Sequence, residues 1–123
     1  MKSEESGWHI LQKEHRLSKN KDFALVYKKG KSWANRSFVI YVHKRNDQEK
    51  FRLGISVSKK VGNAVVRNHI KRLVKAVFID IKDSIPVGYD LVIIARNSAN
   101  SLDFHETKEA VIQVLKRCKM YVR

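Results

Sequence analysis

The segment from Phe51 to Ile79 contains no Asp or Glu, and it constrains the fold more than any other part of the chain. Its first part alternates apolar and polar residues, which is typical of a half-buried strand. From Ala64 to Lys82 the apolar residues instead fall at helical spacing within an arc of roughly 100°, and basic or amide side chains fill an adjoining arc of roughly 140°. The apolar arc consists of Val66, Ile70, Leu73, Val74, Val77 and Ile81. The segment therefore predicts a strand followed by a helix with one apolar and one cationic face.

Charge limits the classes of function. The chain has 26 Lys and Arg against 12 Asp and Glu, a formal net charge of +14 over 123 residues. Such a charge predicts fast, salt-sensitive association with polyanions. The sequence shows neither a long apolar run nor a basic helix with interfacial aromatic residues, so we expect no membrane partner. Nucleic acid is the expected partner, and the cytoplasm is the expected location.

The N-terminal residues differ from the rest. Residues 1–15 are mixed in charge and lack a sustained hydrophobic period, so we predict a flexible N-terminal extension there. Hydrophobic residues make up 43% of the whole sequence, enough for a folded core. We therefore predict a single domain over residues 16–123.

Two further helices are predicted from their ends. The first carries Phe23 and Tyr27 on one face; we expect Ser18 or Asn20 to cap it and a left-handed Gly30 to end it. The last begins at a capping box, Asp103 with Glu106. Its predicted buried stripe is Phe104, Val111, Val114, Leu115 and Cys118.

The strand pattern sets the fold class. Residues 38–43 alternate with a period of two, and the strand that begins near Phe51 would pair antiparallel with them if the polar tract 44–50 is a hairpin turn. The continuous apolar run 91–95 is typical of a central strand covered on both faces. The order is a helix, two or three short strands, a helix, a strand and a helix, which predicts a small α/β sandwich of helices on a sheet.

The cationic helix face favours a phosphate-bearing partner. Arg67, Lys71 and Lys75 lie one turn apart with no acid to relieve their repulsion, whereas ordinary solvated helices mix charges. Arg67 and Arg72 offer forked donors for phosphate, and Asn68 can hydrogen-bond a base edge or a ribose hydroxyl. Lys59 and Lys60 extend the basic surface before the helix.

A set of aromatic residues has two interpretations. Phe23 and Tyr27 share a helix face, and Tyr41 lies in the first predicted strand. Packing in the core is the commoner outcome for such residues. A surface that stacks single-stranded bases is the alternative, because aromatic side chains in a basic groove bind single strands.

The sequence offers no evident catalytic or metal-binding constellation. Its five His are scattered, its acids form no pair in an apolar pocket, and nucleotide-phosphate loops are missing. The single Cys118 excludes an internal disulfide and a cysteine-rich zinc site. We therefore predict no catalytic residue and no metal ligand, and we expect any reactive groups to come from elsewhere.

Five collinear segments resemble the protein component of bacterial ribonuclease P. The segment Arg67–Lys75 (RNHIKRLVK) resembles that family's RNR signature, and Gly54–Val65 resembles the lead-in to the same helix. The others are Asp22-Phe23 with Val26-Tyr27 and Gly30, Ala34-Asn35-Arg36 with Phe38 and Tyr41, and Asp90–Arg96. The match extends from about Arg16 to Tyr121.

The resemblance implies a fold and a role. The fold would be a two-layer α/β (α+β) sandwich of order α-β-β-β-α-β-α with a left-handed βαβ crossover, like the second domain of ribosomal protein S5. The role would be that of a protein subunit in an endoribonuclease that removes the 5′ leader of precursor tRNA. The RNA subunit would hold the Mg²⁺ ions and perform the hydrolysis, the partners would be ribonuclease P RNA and precursor tRNA, and no protein oligomer would be required.

The resemblance also assigns residues. Those implied to bind RNA are Lys59, Lys60, Asn63, Arg67, Asn68, Lys71, Arg72 and Lys75. Those implied to line the leader cleft are Phe23, Tyr27, Arg36, Tyr41 and Arg96. Lys75 departs from the family's usual Arg, and the first dozen residues exceed the family pattern and carry no transferable role. The rival interpretation is a structural RNA-binding module, such as a ribosomal protein, which needs no leader cleft.

Overall fold

The computed structural model describes residues 11–122. Within them the helices and strands follow the predicted order. The elements are α1 (Asn20–Lys29), β1 (Lys31–Ala34), β2 (Phe38–Lys44), β3 (Arg52–Val57), α2 (Ala64–Ile81), β4 (Tyr89–Ala95) and α3 (Phe104–Arg117). Short 3-10 helices occur at Lys13–His15, Lys82–Ser84 and Asn97–Ser101. No helix in this part of the chain is both long and apolar enough to cross a membrane.

The four strands form one sheet in the order β1-β2-β4-β3. β4 pairs antiparallel with β2 and parallel with β3, and α2 makes the crossover between the two parallel strands. The predicted hairpin between β2 and β3 is wrong, because β4 lies between them. β4 takes an interior position in the sheet since its residues are apolar towards both faces, as its run of aliphatic residues predicted. The left hand of the crossover stays a prediction.

The larger core lies between one face of the sheet and the two long helices. Ile40, Leu53 and Ile93 project from three adjacent strands onto this face. They meet Val74, Val77 and Phe78 of α2 and Val111, Val114 and Leu115 of α3, all fully or almost fully buried. The predicted sandwich of helices on a sheet is confirmed.

A smaller core lies on the opposite face, under α1. Val26 and Val92 have no exposed surface, and Leu17 completes this cluster with Phe23 and Tyr41 at its edge. Because β4 residues alternate between the faces, Val92 contacts α1 while Leu91 and Ile93 belong to the larger core. The first helix therefore covers only part of its face of the sheet.

Gly30 ends α1 for a different reason from the one predicted. Its φ of −80° and ψ of 169° are extended and not left-handed. A Cβ there would lie 2.5 Å from the carbonyl oxygen of Val26 and 2.8 Å from that of Val42. The glycine is thus required by close backbone approach. The predicted cap is also wrong, since Lys19 precedes the helix and makes no side-chain capping bond.

The last helix begins as predicted. Asp103 accepts a hydrogen bond from the backbone N–H of Glu106 at 2.8 Å, and the Glu106 carboxylate accepts one from the N–H of Asp103 at 3.0 Å. Phe104 was wrongly placed in the buried stripe, because it is 38% exposed at the first turn. The rest of the stripe is buried.

The packed domain includes residues that the sequence assigned to a flexible extension. Leu11 is 3% exposed and His15 is 5% exposed. Nδ1 of His15 lies 2.9 Å from the carbonyl oxygen of Phe51, and the His15 ring packs against the Phe51 ring. The domain therefore begins before residue 16, and residues 1–10 of the predicted extension lie outside the described part.

Candidate nucleic-acid interface

The start of α2 is fixed by its own loop. Asn63 precedes the helix, and its Oδ1 accepts a hydrogen bond from the N–H of Val66 at 3.0 Å. Arg67 Nη1 donates to the carbonyl oxygen of Gly62 at 2.9 Å, and a Cβ on Gly62 would lie 2.7 Å from Val66 Cγ1. The close approach at Gly62 is thus made to its own helix, and Asn63 has a capping role that the sequence did not predict.

Five cations of α2 and its preceding loop, together with the amide Asn68, form a surface that we call the basic face: Lys59, Lys60, Arg67, Asn68, Lys71 and Arg72. Lys59, Lys60, Asn68 and Arg72 are exposed, while Arg67 and Lys71 are half-buried. Within residues 11–122 no ion pair joins Lys59, Lys60, Arg67 or Lys71 to a carboxylate. Their charge is available to an external anion.

Several acidic side chains instead form ion pairs at the other end of the sheet, away from the basic face. Asp90, 2% exposed at the start of β4, accepts hydrogen bonds from Arg45 Nη1 at 2.6 Å and from Arg52 Nη2 at 2.7 Å. Burial alone would raise the pKa of the Asp90 carboxyl, but the bonds from Arg52 and Arg45 outweigh it and the pKa is lowered. These two arginines are occupied and lie outside the basic face.

The predicted aromatic residues meet in one place, which we call the aromatic cleft. Phe23 and Tyr27 project from α1 over the sheet, where the register aligns Tyr41, Val92 and Gly54 in one row. The Tyr27 and Tyr41 rings meet edge to face, with centroids 5.0 Å apart and an interplanar angle of 87°. Phe23 covers Gly54. The three aromatics therefore form a platform beside α1, part core and part surface.

Tyr27 lies at the rim of this cleft. Its side chain is 40% exposed, and partial burial raises the pKa of its hydroxyl while a hydrogen bond with Ser56 opposes the rise. The phenol remains neutral at physiological pH. A neutral aromatic rim with a hydroxyl donor suits a base that stacks and hydrogen-bonds at once.

A second opening, which we call the lateral groove, runs between α2 and the N-terminal residues. It is lined by Leu11, Arg16, Leu17, Ser18, Phe23, Leu53, Ile55, Lys71 and Lys75, with a volume of about 550 Å³. Its floor is apolar and its rim is cationic. Burial lowers the pKa of Lys75, and the nearby charges of Arg16 and Lys71 lower it further. The groove thus brings two predicted RNA-binding lysines beside Phe23 of the cleft.

Arg36 and Arg96 lie apart from the groove, in what we call the strand-end pocket. It adjoins the carboxyl ends of β3 and β4 and is lined by Arg36, Ser58, Lys60, Val61, Ala95, Arg96, Asn97 and Ser98. Arg96 Nη1 donates to the carbonyl oxygen of Asn35 at 3.1 Å, and Ser98 Oγ donates to that of Arg36 at 3.0 Å. Three cations converge there, where open α/β sheets commonly bind ligands.

Asn35 is a structural residue of this region that the sequence did not reveal. It is 8% exposed, and its Nδ2 donates to the carbonyl oxygen of Ala110 at 2.8 Å. Its Oδ1 accepts from the N–H groups of Ser37 and Phe38. These bonds tie the β1–β2 turn to α3 and so fix Arg36. The sequence pattern also did not single out Arg16 of the lateral groove as a site residue, because Arg16 directly follows the stretch predicted to be a flexible extension.

Comparison with known proteins assigns the chain to a family. The ribonuclease P family model matches residues 11–119. The chain belongs to the ribonuclease P protein family. It is 49% identical over 110 residues to the ribonuclease P protein component of Bacillus cereus strain B4264, covering 89% of this chain and 96% of that protein. The corresponding protein of Bacillus anthracis strain CDC 684 is 48% identical over 110 residues, covering 89% of this chain and 92% of that protein.

Solved structures agree with the ribonuclease P assignment. The Staphylococcus aureus RNase P protein superposes with a TM-score of 0.81 at 44% identity, over 87% of this chain and 97% of that one. The Thermotoga maritima RNase P protein superposes with a TM-score of 0.76 at 39% identity, over 83% of this chain and 96% of that one. The chain is accordingly a tRNA-processing, RNA-binding component of ribonuclease P, and the ribosomal-protein alternative is not favoured.

Proposed function

We propose that this chain binds the RNA subunit of ribonuclease P through the basic face and binds the 5′ leader of precursor tRNA in the aromatic cleft. The observation that carries the proposal is the adjacency of the two surfaces. Lys71 of the basic face and Phe23 of the cleft line the same lateral groove. One side of the molecule thereby offers cations for a folded RNA and aromatics for a single strand.

The basic face has the chemistry that RNA backbone requires. Lys59 and Lys60 are mobile point charges in a loop, whereas Arg67 is held at Gly62 and presents a fixed planar donor group. Asn68 and Arg72, which directly follow Arg67 and Lys71 in the sequence, are exposed on the same helix. Phosphate contacts of this kind position a protein on RNA without reading sequence. The proposal therefore predicts affinity for a shaped RNA surface.

The cleft suits an unpaired strand and not a duplex. Stacking of bases on aromatic rings is sequence-tolerant and contributes about 1 to 3 kcal/mol per base. Tyr27 and Tyr41 supply an edge-to-face pair, and Arg36 and Arg96 lie at the end of the same sheet as candidates for the leader phosphates. Both arginines belong to this proposal as phosphate contacts.

The proposal assigns the chemical step to the RNA subunit, which would hold Mg²⁺. Mg²⁺ requires hard oxygen ligands, usually carboxylates or phosphates. The proposed interface instead carries ammonium, guanidinium and amide groups, and residues 11–122 contain no cluster of three His, Cys, Asp or Glu that could hold a metal ion. These residues do not fit a protein-held Mg²⁺ site. The chain would act in the cytoplasm by binding and positioning RNA, and it would need no protein oligomer.

Reconstitution tests this function. The protein is mixed with a bacterial ribonuclease P RNA at low Mg²⁺, and cleavage of a precursor tRNA is compared with that by the RNA alone. We expect the protein to increase the cleavage rate, because its cations replace part of the screening that Mg²⁺ otherwise supplies. Equal rates with and without protein would contradict the proposal.

A variant of the cleft separates leader binding from general RNA binding. Phe23→Ala is expected to weaken binding of leader-bearing precursor tRNA to the holoenzyme by about 1 to 3 kcal/mol and to leave mature tRNA unaffected. Phe104→Ala is the matched control, because Phe104 is an exposed aromatic of α3 outside the cleft. Equal losses of affinity for precursor and mature tRNA would show that the leader does not bind in the cleft.

A further inference from the structure

The strand-end pocket carries more positive charge than one leader phosphate requires. Arg36, Lys60 and Arg96 line it together, and all three side chains are exposed. No Asp or Glu of the described chain lines this pocket, and within residues 11–122 none of the three cations forms an ion pair with a carboxylate. Like charges around one small opening repel each other. A compact anion placed among them relieves that repulsion.

Hydrogen bonds hold the two arginine-bearing segments in place. Arg96 Nη1 donates to the carbonyl oxygen of Asn35 at 3.1 Å, which leaves the other donors of its guanidinium for a ligand. Ser98 Oγ donates to the carbonyl oxygen of Arg36 at 3.0 Å and lies 3.0 Å from Ser37 Oγ. Because the backbone on both sides of the pocket is already fixed, a ligand that binds there orders less of the chain.

The place of the pocket in the sheet also favours a ligand. β3 and β4 are parallel, and their last residues, Val57 and Ala95, are paired. Open α/β sheets commonly bind ligands at the carboxyl ends of their strands. Ser58 and Asn97 follow these two strands and bring a hydroxyl and an amide to the pocket as further donors. The volume of about 390 Å³, equal to that of about 13 water molecules, has room for more than one phosphate group.

Charge selects among the phosphate groups of RNA. An inner phosphodiester carries one negative charge, so it neutralises one of the three cations. A terminal phosphate carries about two charges near neutral pH, and two further phosphates between it and the ribose bring the total to about four. The planar donor groups of Arg36 and Arg96 suit the non-bridging oxygens of such a chain, and Lys60 supplies a mobile point charge. A terminal triphosphate therefore matches the pocket better than an inner phosphate does.

We propose that the strand-end pocket binds a terminal triphosphate group. Two kinds of molecule carry this group: a transcript whose 5′ end is unprocessed, and a free nucleoside triphosphate. Val92, which lies beneath the aromatic cleft, and Arg96 are four residues apart along β4 and its end, or about 13 Å. A leader that stacks in the cleft and begins shortly beyond it would place its 5′ end in the pocket. The transcript as the source rests on the proposed function, whereas the binding of triphosphate does not.

Isothermal titration calorimetry with inorganic tripolyphosphate tests the pocket without RNA or Mg²⁺. At constant salt we expect a single site that binds tripolyphosphate about tenfold or more tightly than orthophosphate. Arg36→Gln/Arg96→Gln should weaken tripolyphosphate binding by about tenfold or more. Lys31→Gln/Lys44→Gln is the matched control, because it removes two charges from exposed positions at the opposite end of the sheet and should bind like the wild type. Equal losses in the two double variants overturn the proposal, because net charge alone then attracts the anion.

A single substitution keeps this test independent of folding. Lys60 is exposed, and Lys60→Gln leaves both arginines and their backbone contacts in place. We expect a several-fold loss of tripolyphosphate affinity and no change in urea unfolding. Unchanged affinity in Lys60→Gln overturns the proposal, as does unchanged affinity in the double arginine variant.

Precursor tRNAs with leaders of graded length identify the source of the triphosphate. Each is prepared with a 5′ triphosphate and with a 5′ hydroxyl, and its binding to the reconstituted holoenzyme is measured. If the transcript is the ligand, the triphosphate tightens binding by about tenfold at one leader length and by less at longer ones, and Arg36→Gln/Arg96→Gln abolishes this advantage.

The remaining outcomes separate the two sources from the proposed function. Tripolyphosphate binding in the pocket without a triphosphate advantage at any leader length assigns the site to a free nucleoside triphosphate. A protein that binds tripolyphosphate in the pocket but binds neither ribonuclease P RNA nor the leader would retain the site and contradict the proposed function. A wild-type protein that does not discriminate tripolyphosphate from orthophosphate overturns the proposal for both sources.

Discussion

The ring of Phe23 in α1 lies directly against the backbone of Gly54 in β3. A Cβ at position 54 would lie 2.6 Å from Cε1 of Phe23 and still closer to Cζ. Gly54 is a buried strand residue without a positive φ, so the space of the ring and not the backbone conformation requires glycine there. The position of the first cleft aromatic is thus set by the absence of a side chain on a neighbouring strand.

Gly54→Ala should therefore displace Phe23. We expect a loss of about 1 to 3 kcal/mol in the free energy of unfolding, because the added methyl overpacks a filled site. Binding of leader-bearing precursor tRNA should weaken as well, because the ring leaves its position. Urea unfolding and filter binding measure the two effects.

The double variant Gly54→Ala/Phe23→Leu separates stability from binding. Leucine lacks the ring tip that meets the new methyl, so we expect most of the lost stability to return. Leader binding should stay weak, because no ring remains to stack on a base. A Gly54→Ala protein as stable as the wild type, with unchanged leader binding, would contradict this account of the cleft.

Asp90 should be the main acid-sensitive group of the fold. Removing its charge by Asp90→Asn leaves Arg45 and Arg52 without their buried partner, and we expect a loss of about 2 to 3 kcal/mol at pH 7. Asp83→Asn is the control, since Asp83 is exposed beyond α2. Urea unfolding at pH 7 measures both.

The pH dependence of the same pair follows from the direction of the shift. The pKa of Asp90 is lowered in the folded state, so its stabilising contribution is present above the unfolded pKa of about 3.9 and is lost as pH falls through the folded value. The stability difference between wild type and Asp90→Asn should be largest near neutral pH and shrink below about pH 4. A difference that stays constant down to pH 3 would show that Asp90 does not act through its charge.

The sequence predicted what depends on local periodicity. The two-residue period of β2 and the helical period of α2 identify both elements and their buried faces, because each pattern is completed within one element. The α3 capping box is equally local, since both partners lie within four residues. The five collinear motifs then indicated the protein family.

Relationships between distant segments were not predictable in the same way. The insertion of β4 between β2 and β3 depends on which strand is apolar on both faces and on a crossover, and a polar turn between consecutive strands suggested a hairpin instead. Gly54 within a strand pattern could have indicated a close approach, but not that Phe23 makes it. The lateral groove joins residues from the N-terminal stretch, α1, β3 and α2, so no local pattern could reveal it.

Asn63 should act mainly as a helix cap and not as a phosphate contact. Asn63→Ala should lower the free energy of unfolding by about 1 kcal/mol, because the N–H of Val66 loses its acceptor. Asn63→Ser should retain nearly all of the stability, since serine caps helices as well as asparagine does. If Asn63 also contacts RNA through its amide, the Ser variant will be stable but bind ribonuclease P RNA more weakly, and a salt titration of both variants distinguishes the roles.

Lys60 should contribute to affinity through a single phosphate. It is exposed, lines the strand-end pocket with Arg36 and Arg96, and makes no ion pair with another residue in the range 11–122. For a single-stranded ligand, each phosphate contact contributes about 0.7 to the slope of log K against log salt concentration. Lys60→Gln should therefore reduce the steepness of that slope by about 0.7 for a leader oligonucleotide.

Lys44→Gln removes the same charge from the far end of β2 and should leave the slope unchanged, because long-range attraction alone adds no counterion release at a bound phosphate. Equal slopes for Lys60→Gln and the wild type would place the leader outside the strand-end pocket and confine its contacts to the aromatic cleft.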